Sequence, residues 1–269
     1  MNTIYPLMKM LHSFALLLLA SVISADASDR AVKPLKALMI TGGCCHDYEK
    51  QKRILSEGIS KRANVEWTIV HEGGTARDHR VSVYEKKDWA KGYDVVLHNE
   101  CFGGVKDAAF VENIALAHKN GTAAVVIHCA LHSYRHAGTD EWRKVVGVKS
   151  MRHQQHGSVE VVNLKSNHPV MKGFPGPWAT PNGELYEILE TYPGCTPLGQ
   201  AFGSRTKKDH VCIWVNKYGK GRTFGTSLGH HNETMANEVY LGLVTRGLLW
   251  ACGKLGKDGK PQEGYGPRE

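Results

Sequence analysis

Lys36-Ala-Leu-Met-Ile-Thr-Gly-Gly-Cys-Cys-His-Asp47 is a short apolar run that breaks into a glycine pair and then presents reactive side chains. Such a run reads as a buried strand and its loop, the opening of an α/β domain whose chemistry sits at the carboxyl ends of its strands. The arrangement recurs. Val95-Val96-Leu97 leads into His98-Asn99-Glu100, Ala124-Val125-Val126-Ile127 into His128-Cys129, and Thr223-Phe224-Gly225-Thr226 shortly into Gly229-His230-His231. Four strand ends deliver histidines to one edge of the expected sheet.

Outward from that stretch, strands are predicted at 36–41, 65–71, 94–98 and 123–128. Helices at 48–63 and 107–120, with a short one near 85–91, supply the crossovers that a parallel sheet requires. Ile54, Leu55, Ile59 and Ala63 give the first helix a sheet-facing stripe, as Phe110, Ile114, Ala117 and His118 do for the second. The expected fold is therefore α/β, a doubly wound and mainly parallel sheet. After about residue 150 the pattern changes to short strands punctuated by Pro and Gly, at 158–164, 195–202, 211–217 and 222–227. These read as a β-rich C-terminal extension of the same domain. A helix at 237–252 closes it, and residues 253–269, rich in Gly, Lys and Pro, read as a mobile tail.

A chain of 269 residues, 42% of them hydrophobic, can bury a sizeable core as one domain. Lys9, the apolar stretch 14–20 and the small residues around Ala27 read as a signal peptide over 1–27. The mature protein is accordingly expected to be exported, periplasmic or secreted. The apolar stretch is shorter than the ~20 residues of a membrane span, and no later segment is apolar enough. The net charge of +8 comes from scattered Lys and Arg without interleaved aromatics, so nucleic acid is not an expected partner. Seven cysteines, an odd number, mostly in apolar runs, do not read as a disulfide framework; Cys195 and Cys212 are the pair to test.

Thr41-Gly42-Gly43 with His46-Asp47, the strand ending in His128, His168-Pro169, Gly183-Glu184-Leu185-Tyr186, and Gly219-Lys220-Gly221-Arg222 followed by Gly229-His230 together resemble the ThuA-like (trehalose-utilisation) family over about residues 36–252. The resemblance implies a flavodoxin-like fold related to class I glutamine amidotransferases. It also implies oxidised disaccharides, particularly 3-keto sugars, as the small-molecule substrates. Many relatives carry Asp where this chain has Gly183, so a role resting on that Asp does not transfer.

A 3-keto glycoside acidifies the hydrogens beside its carbonyl, so its cleavage or epimerisation needs a base of near-neutral pKa and a group that stabilises the enolate oxygen. His46, His128 and His230, with Glu184, are the catalytic candidates. Asp47, Glu100, His132, Tyr134 and Tyr186 are candidates for substrate binding, the tyrosines packing on a pyranose face. Each has a structural alternative: a strand-end histidine satisfying a loop, Glu184 starting a helix, Tyr186 in the core. His71, His79, His118, His153, His156 and His210 share no convergence, which favours surface or structural roles. His168 reads as a turn and Gly219–Arg222 as a hairpin.

The residues dictate no cofactor, but gathered imidazole and carboxylate groups suit a divalent metal such as zinc, with His46, His128 and His230 the first ligands to test. A rival reading makes Cys129 the nucleophile of an amidotransferase-like hydrolase, relayed by His231 and Glu233, although bulky Ile127 and Leu131 sit where a tight elbow wants small residues. A third is a non-catalytic carbohydrate-binding protein with Trp89, Trp142 and Trp178 as platforms.

Overall fold

The computed structural model describes residues 1–3 and 33–268, so the signal-peptide expectation lies outside the described residues. Among these, no helix is long and apolar enough to cross a membrane. The described residues 33–268 form one compact unit.

The opening stretch is strand β1, Leu35–Gly43, with eight of its nine residues buried. Burial on both faces is what a central parallel strand needs. It pairs in parallel with β2, Val65–His71, and β3, Val95–Cys101. Strand β4, Ala123–Ile127, lies beyond β3. The order β2-β1-β3-β4 reverses direction between β1 and β3, the switch point at which doubly wound sheets open a crevice. Alternate side chains sort into two cores. Met39, Leu97 and Val125 pack beneath α1, Tyr48–Ser60, and α5, Glu238–Ala251. Leu38, Val96 and Val126 pack beneath α2, Ala108–Lys119, and α3, Glu141–Val146.

The extension adds to the same sheet. Strand β11, Gly221–Thr226, is parallel to β4, and from it the antiparallel strands β10, Lys208–Tyr218, β9, Thr196–Gly203, β6, Glu160–Asn163, and β7, Trp178–Ala179, complete nine. A separate antiparallel ribbon, β5, Val148–His156, with β8, Glu184–Thr191, had no counterpart in the expected elements. Glu184 thus opens a strand rather than a helix. The short helix expected at 85–91 is instead one 3₁₀ turn at Ser82–Glu85.

Residues 253–268 make several contacts with the body and with one another. Leu255 bridges Pro261, the Asn64 amide donates to the Gly264 carbonyl at 3.0 Å, and Lys254 lies 4.6 Å over the Tyr265 ring. The Asn64 backbone amide also donates to the Tyr265 carbonyl at 3.1 Å.

Helix α5 meets β11 where Gly247 faces the buried Phe224 ring, and a Cβ at Gly247 would overlap that ring. In an open helix Gly→Ala gains up to about 1 kcal/mol. Overpacking a closed core costs about 1–3 kcal/mol, so Gly247→Ala is expected to destabilise by about 1–2 kcal/mol net, read from the denaturant midpoint.

Candidate functional site

A cavity of about 460 Å³ opens at the carboxyl ends of the parallel strands, lined by Cys45, His46, His132, His156, Glu184 and His230 among others. The loop after β1 can enter it because Gly42 and Gly43 take φ of 129° and 99°, conformations glycine adopts without strain. A Cβ at either position would run into the Glu72 or Cys101 carbonyl.

Three histidine nitrogens meet at the inner end. His46 follows β1, His128 follows β4 and His230 follows β11. His230 Nδ1 lies 3.0 Å from His46 Nε2 and 3.1 Å from His128 Nε2. Glu184 Oε2 is 3.4 Å from both His128 Nε2 and His230 Nδ1. The far sides of two rings are held. His128 Nδ1 donates to the Ser227 carbonyl at 2.7 Å, and His46 Nδ1 is 3.0 Å from the Tyr48 hydroxyl. A neutral imidazole that donates from Nδ1 carries a bare lone pair on Nε2, so His128 turns its lone pair to the meeting point.

Backbone conformation marks the same place. Cys45 and His128 have φ of 86° and 45°, and Tyr134, just behind, 59°. Non-glycine residues seldom take such values, and where they persist the surroundings enforce them.

The protonation states suit ligation. Burial, then the neighbouring His128 and His230, push His46 down to about 2, and burial lowers His128. Burial opposes the charge on Glu184, but the adjoining His128 and His230 outweigh it and hold the carboxyl well below its usual range. Neutral imidazoles beside a carboxylate are what a cation site requires.

The ribbon of β5 and β8 closes the cavity from one side. His153 Nδ1 and His156 Nε2 each lie 2.9 Å from Glu184 Oε1, so both carboxylate oxygens are engaged. Neither histidine stood out in the sequence, because the polar β5 shows no period that would place it beside β8. His132 stacks on Tyr186, ring centroids 3.9 Å apart and planes 7° from parallel. The Tyr186 hydroxyl is 3.3 Å from His128 Nε2.

Three of the substrate-binding candidates lie elsewhere. Asp47 caps α1, accepting from the Lys50 amide at 3.2 Å and from the Asn232 side chain at 3.0 Å. Glu100 and Tyr134 belong to a fully buried network: Glu100 Oε1 lies 3.0 Å from His98 Nδ1, 3.2 Å from the Tyr84 hydroxyl and 3.4 Å from the Tyr134 hydroxyl. His98 Nε2 continues to His118 Nε2 at 3.0 Å, and His118 Nδ1 donates to the Thr122 carbonyl at 2.9 Å. Alternation along β3 turns Glu100 inward with His98.

The cysteines depart from expectation. Cys44 is bonded to Cys45 and Cys101 to Cys129, whereas Cys195 and Cys212 are free. Adjacent strand ends bring Cys101 and Cys129 to a Cα separation of 5.3 Å, a juxtaposition that sequence spacing does not reveal. With its sulfur so bonded, Cys129 has no thiol for a relay through His231 and Glu233. Two of the three aromatic platforms are also lost: Trp89 and Trp142 are buried and donate to the Asn113 and Ala130 carbonyls.

The family model described as ThuA, trehalose utilisation, matches residues 36–251. Among solved structures, a ThuA-like protein from Parabacteroides merdae superposes with a TM-score of 0.66 at 18% identity, over 88% of this chain and 98% of its own. A ThuA-like protein from Bacteroides uniformis gives 0.58 at 16%, over 87% and 98%. At these identities the likeness establishes the fold. A search of the curated proteins found no match.

Proposed function

This chain belongs to the ThuA family, whose fold is glutamine amidotransferase-like, and from that premise we propose that it acts on 3-keto glycosides or related carbonyl sugars through a divalent metal centre held by His46, His128, His230 and Glu184. One observation carries the reading. His46 Nε2, His128 Nε2 and Glu184 Oε2 all lie 3.0–3.4 Å from His230 Nδ1. The edge of a tetrahedral zinc site with bonds of about 2.0–2.1 Å is about 3.3 Å. His128, donating from Nδ1 to the Ser227 carbonyl, turns its Nε2 lone pair to the meeting point, and His46 does the same in the tautomer that donates to the Tyr48 hydroxyl. The Ser227 carbonyl and Tyr48 hydroxyl are the outer partners that fix ligand tautomers in metal sites.

A bound zinc or similar ion would polarise the sugar carbonyl and stabilise the enolate oxygen. The chain supplies the rest. His153 and His156, on the free side of Glu184, stand at the cavity wall where a proton beside the carbonyl is taken up and returned. The stacked His132 and Tyr186 offer an aromatic wall to the pyranose face. Export, expected from residues 1–27, belongs to the same reading and would set the enzyme among extracytoplasmic sugars.

The test is elemental analysis of protein purified without chelator, coupled to turnover of a 3-keto glycoside. One zinc or manganese per chain is expected, with turnover falling about 100-fold on chelation and returning when the metal is restored. Protein that stays metal-free after attempted loading overturns the metal. Loaded protein that leaves 3-keto glycosides untouched overturns the substrate.

A further inference from the structure

Four of the seven cysteines converge on one wall of the cavity: Cys44 and Cys45 from the end of β1 and its loop, Cys101 ending β3 and Cys129 following β4. They are paired as Cys44–Cys45 and Cys101–Cys129, and the Cys44 and Cys101 sulfurs lie only 3.8 Å apart. The first pair joins neighbours in sequence. It closes no loop and constrains the unfolded chain hardly at all, so stapling is not its use. The second pair links strands that the sheet already holds side by side. Accessibility gives the set a direction. Cys45 is exposed, whereas Cys44, Cys101 and Cys129 keep 8%, 5% and 7% of their surface.

We propose that these four sulfurs form a thiol–disulfide relay that oxidises an external dithiol. One thiolate of the dithiol attacks Cys45 Sγ, the accessible end, and the electron pair of the Cys44–Cys45 bond leaves on Cys44. The Cys44 thiolate, already beside Cys101 Sγ, forms the Cys44–Cys101 bond as the Cys101–Cys129 bond breaks, and Cys129 takes the electron pair and a proton. The second thiol of the dithiol then displaces Cys45 from the mixed disulfide. The dithiol loses two electrons and two protons and becomes a disulfide. The chain gains both, holding thiols at Cys45 and Cys129 and a single Cys44–Cys101 bond. None of the four sulfurs is a ligand in the proposed metal centre, so the relay stands or falls independently of it.

The experiment treats the native protein with one equivalent of dithiothreitol, quenches with acid, alkylates and maps the peptides by mass spectrometry. The expected result is alkyl label on Cys45 and Cys129 together with a cross-linked Cys44–Cys101 peptide. Label on Cys44 and Cys45 with Cys101–Cys129 intact overturns the relay, as does resistance of both bonds until the protein is unfolded. In Cys44→Ser, checked for native circular dichroism, opening of Cys101–Cys129 is expected to slow about tenfold or more because the inner pair has lost its attacking thiol. An unchanged rate in that variant likewise overturns it.

Discussion

His128→Ala is expected to weaken zinc binding by about 1,000-fold or more and to remove turnover with it. Loss of an outer partner of a ligand costs about 10- to 100-fold in affinity, so loss of the ligand itself costs more. Tyr48→Phe supplies the graded comparison: the ring keeps its buried place while the hydroxyl 3.0 Å from His46 Nδ1 is gone. Its affinity is expected to fall about 10- to 100-fold. Competition with a zinc chelator dye measures both. His128 is also buried, so His128→Gln, which keeps most of the volume, separates loss of the ligand from loss of packing. Wild-type zinc affinity in both His128 variants would place the ion elsewhere.

Much of the frame was legible because buried parallel strands write themselves as apolar runs. Residues 36–41, 65–71, 94–98 and 123–128 all lie in or overlap β1 to β4, and the glycine pair marked where β1 gives way to loop. The histidines after β1, β4 and β11 could be placed together from that pattern alone, since parallel neighbours share a carboxyl edge. His98 shows where the argument weakens. It sits within β3 rather than past its end, so it joins the buried network of Glu100 and His118.

The missing wall was illegible for a different reason. Strand β5 reads Val-Lys-Ser-Met-Arg-His-Gln-Gln-His, too polar to announce a strand, and its pairing with β8 is interrupted by register shifts. Its partner lies 28 residues further on, from His156 to Glu184, and no local period records such a pairing. Sulfur pairing was hidden likewise, because Cys101 and Cys129 become neighbours only when β3 and β4 align.

Stability of the metal-free protein is expected to fall steeply in mild acid, and the sign follows from two histidines outside the ligand set. Burial and the neighbouring His98 push His118 down to about 3; burial, then Arg135 and His128, push His132 down to about 2. In the unfolded chain each titrates near 6.5. Below that value the unfolded state binds protons that the native state refuses, so stability rises with pH there and is lost as pH falls. At pH 5 each group costs about 2 kcal/mol relative to pH 7, and the two together about 4 kcal/mol. Against a total of about 5–15 kcal/mol that is a large fraction. Denaturant unfolding in chelator at pH 7 and pH 5 measures it. His132→Gln, which keeps a donor toward Ser150, is expected to recover about half of the difference. Equal stability at the two pH values would mean that the native state accepts these protons after all, and with them a charge that the buried His98–His118 pair and the stacked His132–Tyr186 wall are built without.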